Sequence, residues 1–284
     1  MRYGLPVPRA VTRTWYRIVL GHPGATPPTL VAAAGEHMGV AVAAAERHAP
    51  RSFAIGVELA PDSDIPLGES IGKSSVVDLG AAPDLPVFHW PVGVLPALSR
   101  APATAEVRRG WVVRPHADLL VIEAQTDADH LTDLFMGLIE RLPSADNLEV
   151  RLLDHFEDAG RADVWLTSRI DARRILRFLD DHDVELFGNG HLELSVYVRA
   201  HRATLRLTEH KTVVWLANQR ALEAELVRWL GELAVPHREA LVGIKDVPHF
   251  HYRTSRSRDR RKLGEELYRQ RLRRVDTVKL GRAH

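Results

Sequence analysis

The stretch HLELSVYVRAHRATLRLTEHKTVVWLA, residues 191–217, predicts three consecutive β-strands. Its first part places an apolar side chain at every second position, the period of a strand with one buried face: Leu192, Leu194, Val196 and Val198. ATLRLT at 203–208 alternates in the same way, and TVVWLA follows at 212–217. Short connections join antiparallel neighbours, so the stretch indicates an antiparallel sheet.

Upstream, from Trp111, strand patterns alternate with helix patterns. A buried strand, ADLLVIEA at 117–124, precedes a helix that Pro143 ends. The apolar side chains of that helix recur at intervals of three and four, which is the period of one helix face: Leu131, Leu134, Phe135, Leu138, Ile139 and Leu142. Two strands and a second helix then follow, at 148–155, at 162–168 and around Ala172, Ile175, Leu176 and Leu179.

The order of these elements predicts the fold class. From Trp111 it runs β-α-β-β-α-β, the order of ferredoxin-like folds, and continues with β-β-α up to a helix at 218–233. We therefore expect an α+β domain over residues 106–235, with an antiparallel sheet and helices on one face. Because such folds host unrelated functions, the order alone does not indicate an activity.

The flanking regions differ in composition from this domain. Residues 1–105 are rich in proline and predict an irregular region with strand-like runs at 12–20 and 52–59 and one Ala-rich helix at 29–45. Residues 236–284 predict a connector and a basic C-terminal arm. Within the arm, 257–275 has the pattern of a helix with a narrow apolar stripe: Tyr268, Leu272 and Val275.

Composition limits the function classes. The chain has 284 residues, 45% of them hydrophobic, and no cysteine, which excludes disulfides, cysteine-ligated metal and thiol nucleophiles. The start of the chain lacks a signal-peptide pattern, and Glu36 and His37 interrupt the Ala-rich run, so we expect a cytoplasmic protein without a membrane span. Residues 253–284 carry a net charge of +8 on a chain of net charge +1, so the rest is acidic.

The stretch GESIGKSS at 68–75 resembles a phosphate-binding loop. A P-loop requires four residues between its glycines, whereas only three separate Gly68 from Gly72. If the loop nevertheless binds a nucleotide, Lys73 and Ser74 would contact the phosphates and a magnesium ion. The alternative is a polar turn with an exposed lysine.

The stretch PHFH contains a candidate metal site. His249 and His251 are two residues apart, which places both imidazoles on one side of an extended segment. A third ligand would come from elsewhere, with three candidates in the same connector: His237, Glu239 and Asp246. The alternative is a connector whose imidazoles form local hydrogen bonds.

The basic arm contains the candidate residues for a polyanion or a protein partner: Arg253, Arg256, Arg258, Arg260, Arg261, Lys262, Arg269, Arg273 and Arg274. Arginine suits phosphate because its planar fork binds two oxygens at once. Glu265 and Glu266 interrupt the run, and this favours the alternative that the arm pairs with the acidic body or with a partner subunit.

No catalytic constellation stands out. The pairs Ser195–His191 and Glu209–His210 can be written down, but Ser195 lacks the glycine-flanked elbow of hydrolase nucleophiles. The leading hypothesis is a cytoplasmic, non-catalytic binding or assembly protein that acts through protein contacts or self-association. The alternatives are a nucleotide-dependent enzyme using the 68–75 loop and an RNA- or DNA-binding protein using the basic arm. The sequence indicates no particular cofactor.

Overall fold

The structure is a computed structural model that describes residues 13–23, 26–61, 75–83, 85, 88–98, 106–154, 161–218 and 220–279. It combines helices with antiparallel sheets, as the element patterns predicted. The helices of this part of the chain are α1 Met38–His48, α2 Leu131–Arg141, α3 Ala172–Asp181, α4 Asp183–Leu186, α5 Glu223–Glu232 and α6 Arg260–Arg269.

The largest sheet has eight strands, and every neighbouring pair in it is antiparallel. From one edge to the other the order is β14 Arg273–Lys279, β9 Arg161–Leu166, β8 Asn147–Asp154, β10 Leu192–Val198, β11 Ala203–Leu207, β12 Val213–Asn218, β7 Leu119–Gln125 and β6 Gly110–Arg114. The stretch 191–217 thus forms the middle of this sheet as three consecutive strands.

The strand order differs from the ferredoxin-like order predicted from the element sequence. In that fold a single strand separates the first two strands of the unit, whereas here β10, β11 and β12 separate β7 from β8. The meander β10–β11–β12 enters the sheet between them because β12 pairs with β7 and β10 pairs with β8. Alternation shows which face a residue occupies, but not which strand lies beside it.

Helices cover one face of this sheet and build its core. The core contains side chains from the middle strands and from α2, α3, α5 and α6, among them Phe135, Ile175, Leu194, Trp215, Leu230 and Leu267. On the opposite face lie polar side chains that bond to one another. Tyr197 Oη donates to Glu149 Oε2 at 2.7 Å, and Arg206 Nε donates to Ser195 Oγ at 3.2 Å.

The N-terminal part is a second sheet rather than an irregular proline-rich region. It has four strands in the order β3 Phe53–Leu59, β1 Thr14–Gly21, β2 Thr29–Gly35 and β4 Val76–Ala81. The predicted helix at 29–45 is wrong for its first half, since 29–35 is a strand and α1 begins at Met38. Nearly all of β2 is buried, so its side chains do not alternate, and a short apolar run of this kind does not distinguish strand from helix.

The C-terminal part is also more integrated than a connector and an arm. The segment 241–252 contributes Ile244, Val247 and Tyr252 to the core of the N-terminal sheet. Its short strand β13, His249–His251, pairs with β5, Val94–Pro96. Among the helices of the described ranges, none has the length and hydrophobicity of a membrane-spanning segment.

The predicted helix at 257–275 ends early. α6 stops at Arg269, Arg271 takes a left-handed conformation with φ 66°, and the chain then returns as β14 along β9. Leu263 and Leu267 are the buried side chains of α6, whereas Tyr268, expected in the apolar stripe, is 74% exposed. The arm is therefore a helix and an edge strand of the large sheet.

Candidate metal centre

Three histidines from distant parts of the sequence meet at one point. His249 and His251 lie on β13, and His210 lies in the tight turn between β11 and β12. Their ring centroids form a nearly equilateral triangle with sides of 4.7, 5.0 and 5.1 Å, and the ring planes are inclined by 62–73° to one another. One nitrogen from each ring lies within 4.8 Å of the other two, so the three rings converge on a common volume.

Strand pairing fixes the two histidines of β13. His249 pairs with Pro96 and His251 with Val94, so both imidazoles project from the same side of the two-stranded ribbon. The residue between them, Phe250, packs against the core of the N-terminal sheet. The i, i+2 spacing noted in the sequence therefore produces the geometry that it predicted.

Hydrogen bonds determine which ring nitrogens carry hydrogen. His249 Nδ1 donates to the carbonyl oxygen of Val247 at 2.7 Å, and His251 Nδ1 donates to the carbonyl oxygen of Gly190 at 2.7 Å. A carbonyl oxygen only accepts, so each neutral ring has its lone pair on Nε2. The two Nε2 atoms nevertheless face each other at 2.9 Å, a distance at which two lone pairs repel unless a cation or a proton lies between them.

Burial keeps the ring of His251 neutral. Removal from water, together with the neighbouring His249, lowers the pKa of His251 to about 3. At neutral pH His251 is therefore in the deprotonated form that a metal ion requires.

The turn at Gly190 holds His251 in place through backbone contacts. Gly190 donates its N–H to the carbonyl oxygen of Tyr252 at 2.9 Å, and its own carbonyl accepts from His251. A Cβ on Gly190 would lie 1.9 Å from the oxygen of Gly93, so only glycine allows these two segments of the backbone to come this close. Through this contact the turn before β10 of the large sheet packs against the residue that precedes β5.

A fully buried lysine holds the same turn. Lys211 has no exposed surface, and its Nζ donates to the carbonyl oxygen of Asn189 at 2.6 Å. Burial lowers the pKa of Lys211 to about 7, with the carboxylate of Glu209 acting in the opposite direction. Because Lys211 follows His210 directly, this bond ties the turn that carries His210 to the turn that anchors His251.

The three histidines line a cleft of about 750 Å³ between the two sheets. The N-terminal sheet and α1 contribute Tyr16, Glu36, His37 and Met38 to its wall. The turns before β10 and between β11 and β12, together with the start of α6 and the residues before it, contribute polar groups as well: Asn189, His191, Glu209, Arg258, Asp259 and Arg260. Burial, followed by the charge of Arg253, lowers the pKa of His37 on this wall.

The structure corrects the third ligand expected from the sequence. The ring of exposed His237 packs on Trp111, Asp246 accepts a hydrogen bond from the backbone of Gly243, and Glu239 is exposed. None of these three belongs to the histidine group; the third member is His210. Its neighbour Glu209 has an oxygen 4.0 Å from His210 Nδ1, and the sequence indicated these two residues only as a catalytic pair, not as part of a metal site.

The basic residues of the arm are largely paired with acidic groups of the same chain. Asp163 forms ion pairs with both Arg260 and Arg274, and Arg258 pairs with Glu185. Within α6 and its cap the pairs are Arg261–Glu265, Arg269–Glu266 and Lys262–Asp259. The pairs with Asp163 and Glu185 connect the arm to the rest of the chain, whereas contact with a partner subunit stays a prediction.

The other predicted residues are dispersed. Arg253 lines the cleft and donates to the carbonyl oxygen of Ser257 at 3.1 Å, Arg256 lines a separate cavity, and Arg273 is exposed on β14. Lys73 and Ser74 lie outside the described residues.

Fold and site together define an α+β protein with a three-histidine cluster in a cleft between two antiparallel sheets. No family model, no curated protein and no solved structure matches the chain.

Proposed function

We propose that the protein binds one divalent transition-metal ion, with zinc as the best fit, through His210, His249 and His251. The observation that carries this proposal is the 2.9 Å approach of the two Nε2 atoms while both Nδ1 atoms donate to backbone carbonyls. Two nitrogens on one tetrahedral zinc ion, each about 2.0–2.1 Å from it, are roughly 3.3–3.4 Å apart. The two Nε2 atoms lie at 2.9 Å, so zinc binding would move them apart by about half an ångström.

The surroundings of the two rings support the same conclusion. Histidines that bind metals donate the remaining ring N–H to a carbonyl or carboxylate, which fixes the tautomer and orients the ring. His249 and His251 both do so, each through a carbonyl oxygen at 2.7 Å. An all-imidazole site suits zinc, copper, nickel and iron rather than calcium or magnesium, which prefer oxygen ligands.

A proton shared between His249 and His251 is the competing explanation for the short contact. Such a proton would give the His249–His251 pair a charge of +1, and it would not need the imidazole of His210. The convergence of His210 on the same point, at centroid distances of 5.0 and 5.1 Å, favours a metal ion.

Calorimetric titration of tag-free protein tests the proposal. After treatment with EDTA and removal of the chelator, the full chain should take up one Zn²⁺ per molecule. His210 lies in a turn, so His210→Ala should disturb folding less than a substitution of His249 or His251 in β13. Loss of a residue that only hydrogen-bonds to a metal ligand weakens metal binding roughly 10- to 100-fold, and loss of the ligand His210 should weaken it at least as much. His48→Ala, an exposed histidine at the end of α1, is the matched control and should bind like wild type.

Absence of stoichiometric uptake by wild-type protein would contradict the proposal. Equal affinities for the His210→Ala and His48→Ala variants would contradict it too. Circular dichroism of each metal-free variant separates lost ligands from lost structure.

A second candidate function rests on the surface of α6. A groove there combines aromatic and cationic groups with two carboxylates: Trp165, Tyr268, Arg260, Arg261, Arg269, Arg274, Asp163 and Glu265. Arg261 and Arg269 are 73% and 68% exposed, and stacking on Tyr268 together with guanidinium contacts suits a single-stranded nucleic acid. The intrahelical pairs with Glu265 and Glu266 weigh against strong binding.

Salt dependence tests this second function. Affinity for single-stranded RNA should fall steeply with salt, and Arg269→Ala should reduce both affinity and slope. Arg228→Ala, an exposed arginine on α5, is the control. Retention that does not depend on salt, or equal effects of the two variants, would exclude the groove.

Self-association, a protein partner, a cytoplasmic location and nucleotide binding through Lys73 and Ser74 stay predictions. Light scattering should be run on the full chain, because truncation near Val247 would remove Leu263 and Leu267 from the core. For the nucleotide hypothesis, a thermal shift with Mg·ATP that disappears in Lys73→Ala is the expected result.

A further inference from the structure

We infer that the three-histidine centre keeps an open coordination position that faces the cleft and accepts an anionic oxygen ligand, a phosphate or carboxylate group of a small molecule. This inference rests on the proposed function and adds the ligand class. It distinguishes a site for binding or reaction from a purely structural site.

The number of protein ligands is the first argument. Structural zinc sites are closed by four protein ligands, whereas catalytic sites have three and leave a position open. Within the described ranges, the group of mutually close donors consists of His210, His249 and His251. Glu209, the nearest carboxylate along the chain, is not part of that group, and its oxygen lies 4.0 Å from His210 Nδ1.

Charge is the second argument. Neutral imidazoles contribute no negative charge, so a bound divalent ion keeps its full charge of two. The ionised side chains of the cleft wall are three carboxylates, Glu36, Glu209 and Asp259, and three guanidiniums, Arg253, Arg258 and Arg260. Because Arg258 and Arg260 also pair with Glu185 and Asp163, the wall itself adds no net positive charge. The bound metal ion would therefore be the main source of positive potential in the cleft, and this favours anions over neutral or cationic ligands.

Space and donors are the third argument. A cavity of about 750 Å³ is within the range of small-molecule sites, roughly 300–1,000 Å³. Arg253 donates to Ser257 and Arg258 donates to Glu185, each through one guanidinium nitrogen, NH1. A guanidinium has five N–H donors, so both side chains retain donors for the oxygens of a bound phosphate or carboxylate.

Cobalt substitution tests the inference on the full chain. Metal-free protein is loaded with Co²⁺, and the visible absorption of the ion is recorded while azide, inorganic phosphate or acetate is added. We expect azide and at least one of the two oxyanions to change the spectrum in a saturable manner. Arg253→Met should weaken the oxyanion about tenfold or more, because a charge-assisted hydrogen bond is lost, while azide binding stays close to wild type. Arg228→Met on α5 is the matched control.

The possible failures are distinguishable. If no Co²⁺ is taken up, the proposed function fails and the inference fails with it. If Co²⁺ binds but no anion changes its spectrum, the site is closed and only the inference is overturned. A response to azide alone, with no response to phosphate or acetate, would overturn the assigned ligand class.

Discussion

Replacing the buried Lys211 with methionine should change how the stability of the protein depends on pH. Lys211 has no exposed surface, and its Nζ donates to the oxygen of Asn189 at 2.6 Å. Burial lowers its pKa from 10.5 to about 7. Between those two pH values the unfolded chain binds more protons at this position than the native chain, so stability should rise with pH.

The magnitude follows from the two pKa values. Each pKa unit corresponds to about 1.36 kcal/mol, and most of the native titration lies between pH 6 and pH 9. Over that interval the free energy of unfolding of wild-type protein should increase by roughly 2–3 kcal/mol relative to Lys211→Met. At any single pH, the difference in free energy of unfolding between the two proteins combines the loss of the Lys211 hydrogen bond with the removal of a buried charge. The change of that difference with pH is therefore the quantity that reports the pKa of Lys211.

Urea unfolding at pH 6, 7, 8 and 9, followed by tryptophan fluorescence, measures this slope. EDTA in every sample removes any pH dependence due to metal binding. Groups other than Lys211 contribute equally to both proteins, so they cancel in the difference. Parallel pH profiles of wild type and Lys211→Met would refute the claim that this lysine is buried and titrates near pH 7.

Three further predictions concern the site and the core. Gly190→Ala should destabilise the protein by about 1–3 kcal/mol and weaken zinc binding, since its Cβ would lie 1.9 Å from the oxygen of Gly93. The control Gly231→Ala has open space at its Cβ and should leave stability unchanged or increase it, and calorimetry measures both variants. Free Zn²⁺ at 100 times its Kd should add about 2.7 kcal/mol to the free energy of unfolding in urea titrations, and an unchanged midpoint would contradict native-state binding. Leu267→Ala should cost roughly 2–5 kcal/mol and Tyr268→Ala less than about 0.5 kcal/mol, whereas equal losses would place Tyr268 in the core.

The large sheet shows what alternation can predict. The residues 191–217 formed the predicted strands because one face is buried and the other is polar, and that difference is written directly in the residue order. Strand order was wrong because pairing between β7 and β12 links residues about 90 to 100 positions apart, for example Leu119 and Asn218, and no local pattern specifies such a contact. The strand β2 was misread as helix because a neighbouring strand on each side and α1 on one face leave it almost entirely buried.

For the candidate metal site, too, the sequence predicted one part and missed another. The spacing of His249 and His251 predicted a shared side of an extended segment, because two residues complete one period of a strand. The third ligand was predicted among residues close in sequence, whereas His210 is about 40 residues away from His249 along the chain. Tertiary contacts bring them together, because His251 and Lys211 both bond to the turn at residues 189–190. The charge of the arm left two alternatives open, a polyanion site and pairing with acidic groups, and five of its arginines pair with acidic groups of the same chain: Arg258, Arg260, Arg261, Arg269 and Arg274.

Crystals of the tag-free protein grown with Zn²⁺, with diffraction data collected above and below the zinc absorption edge, would show directly whether the three histidines hold a zinc ion. We expect one anomalous peak in the cleft, about 2.0–2.1 Å from a ring nitrogen of each of His210, His249 and His251. No peak at this position, or a peak bound by other residues while the His249–His251 contact stays at 2.9 Å, would rule out zinc binding by these histidines and leave the shared proton as the explanation.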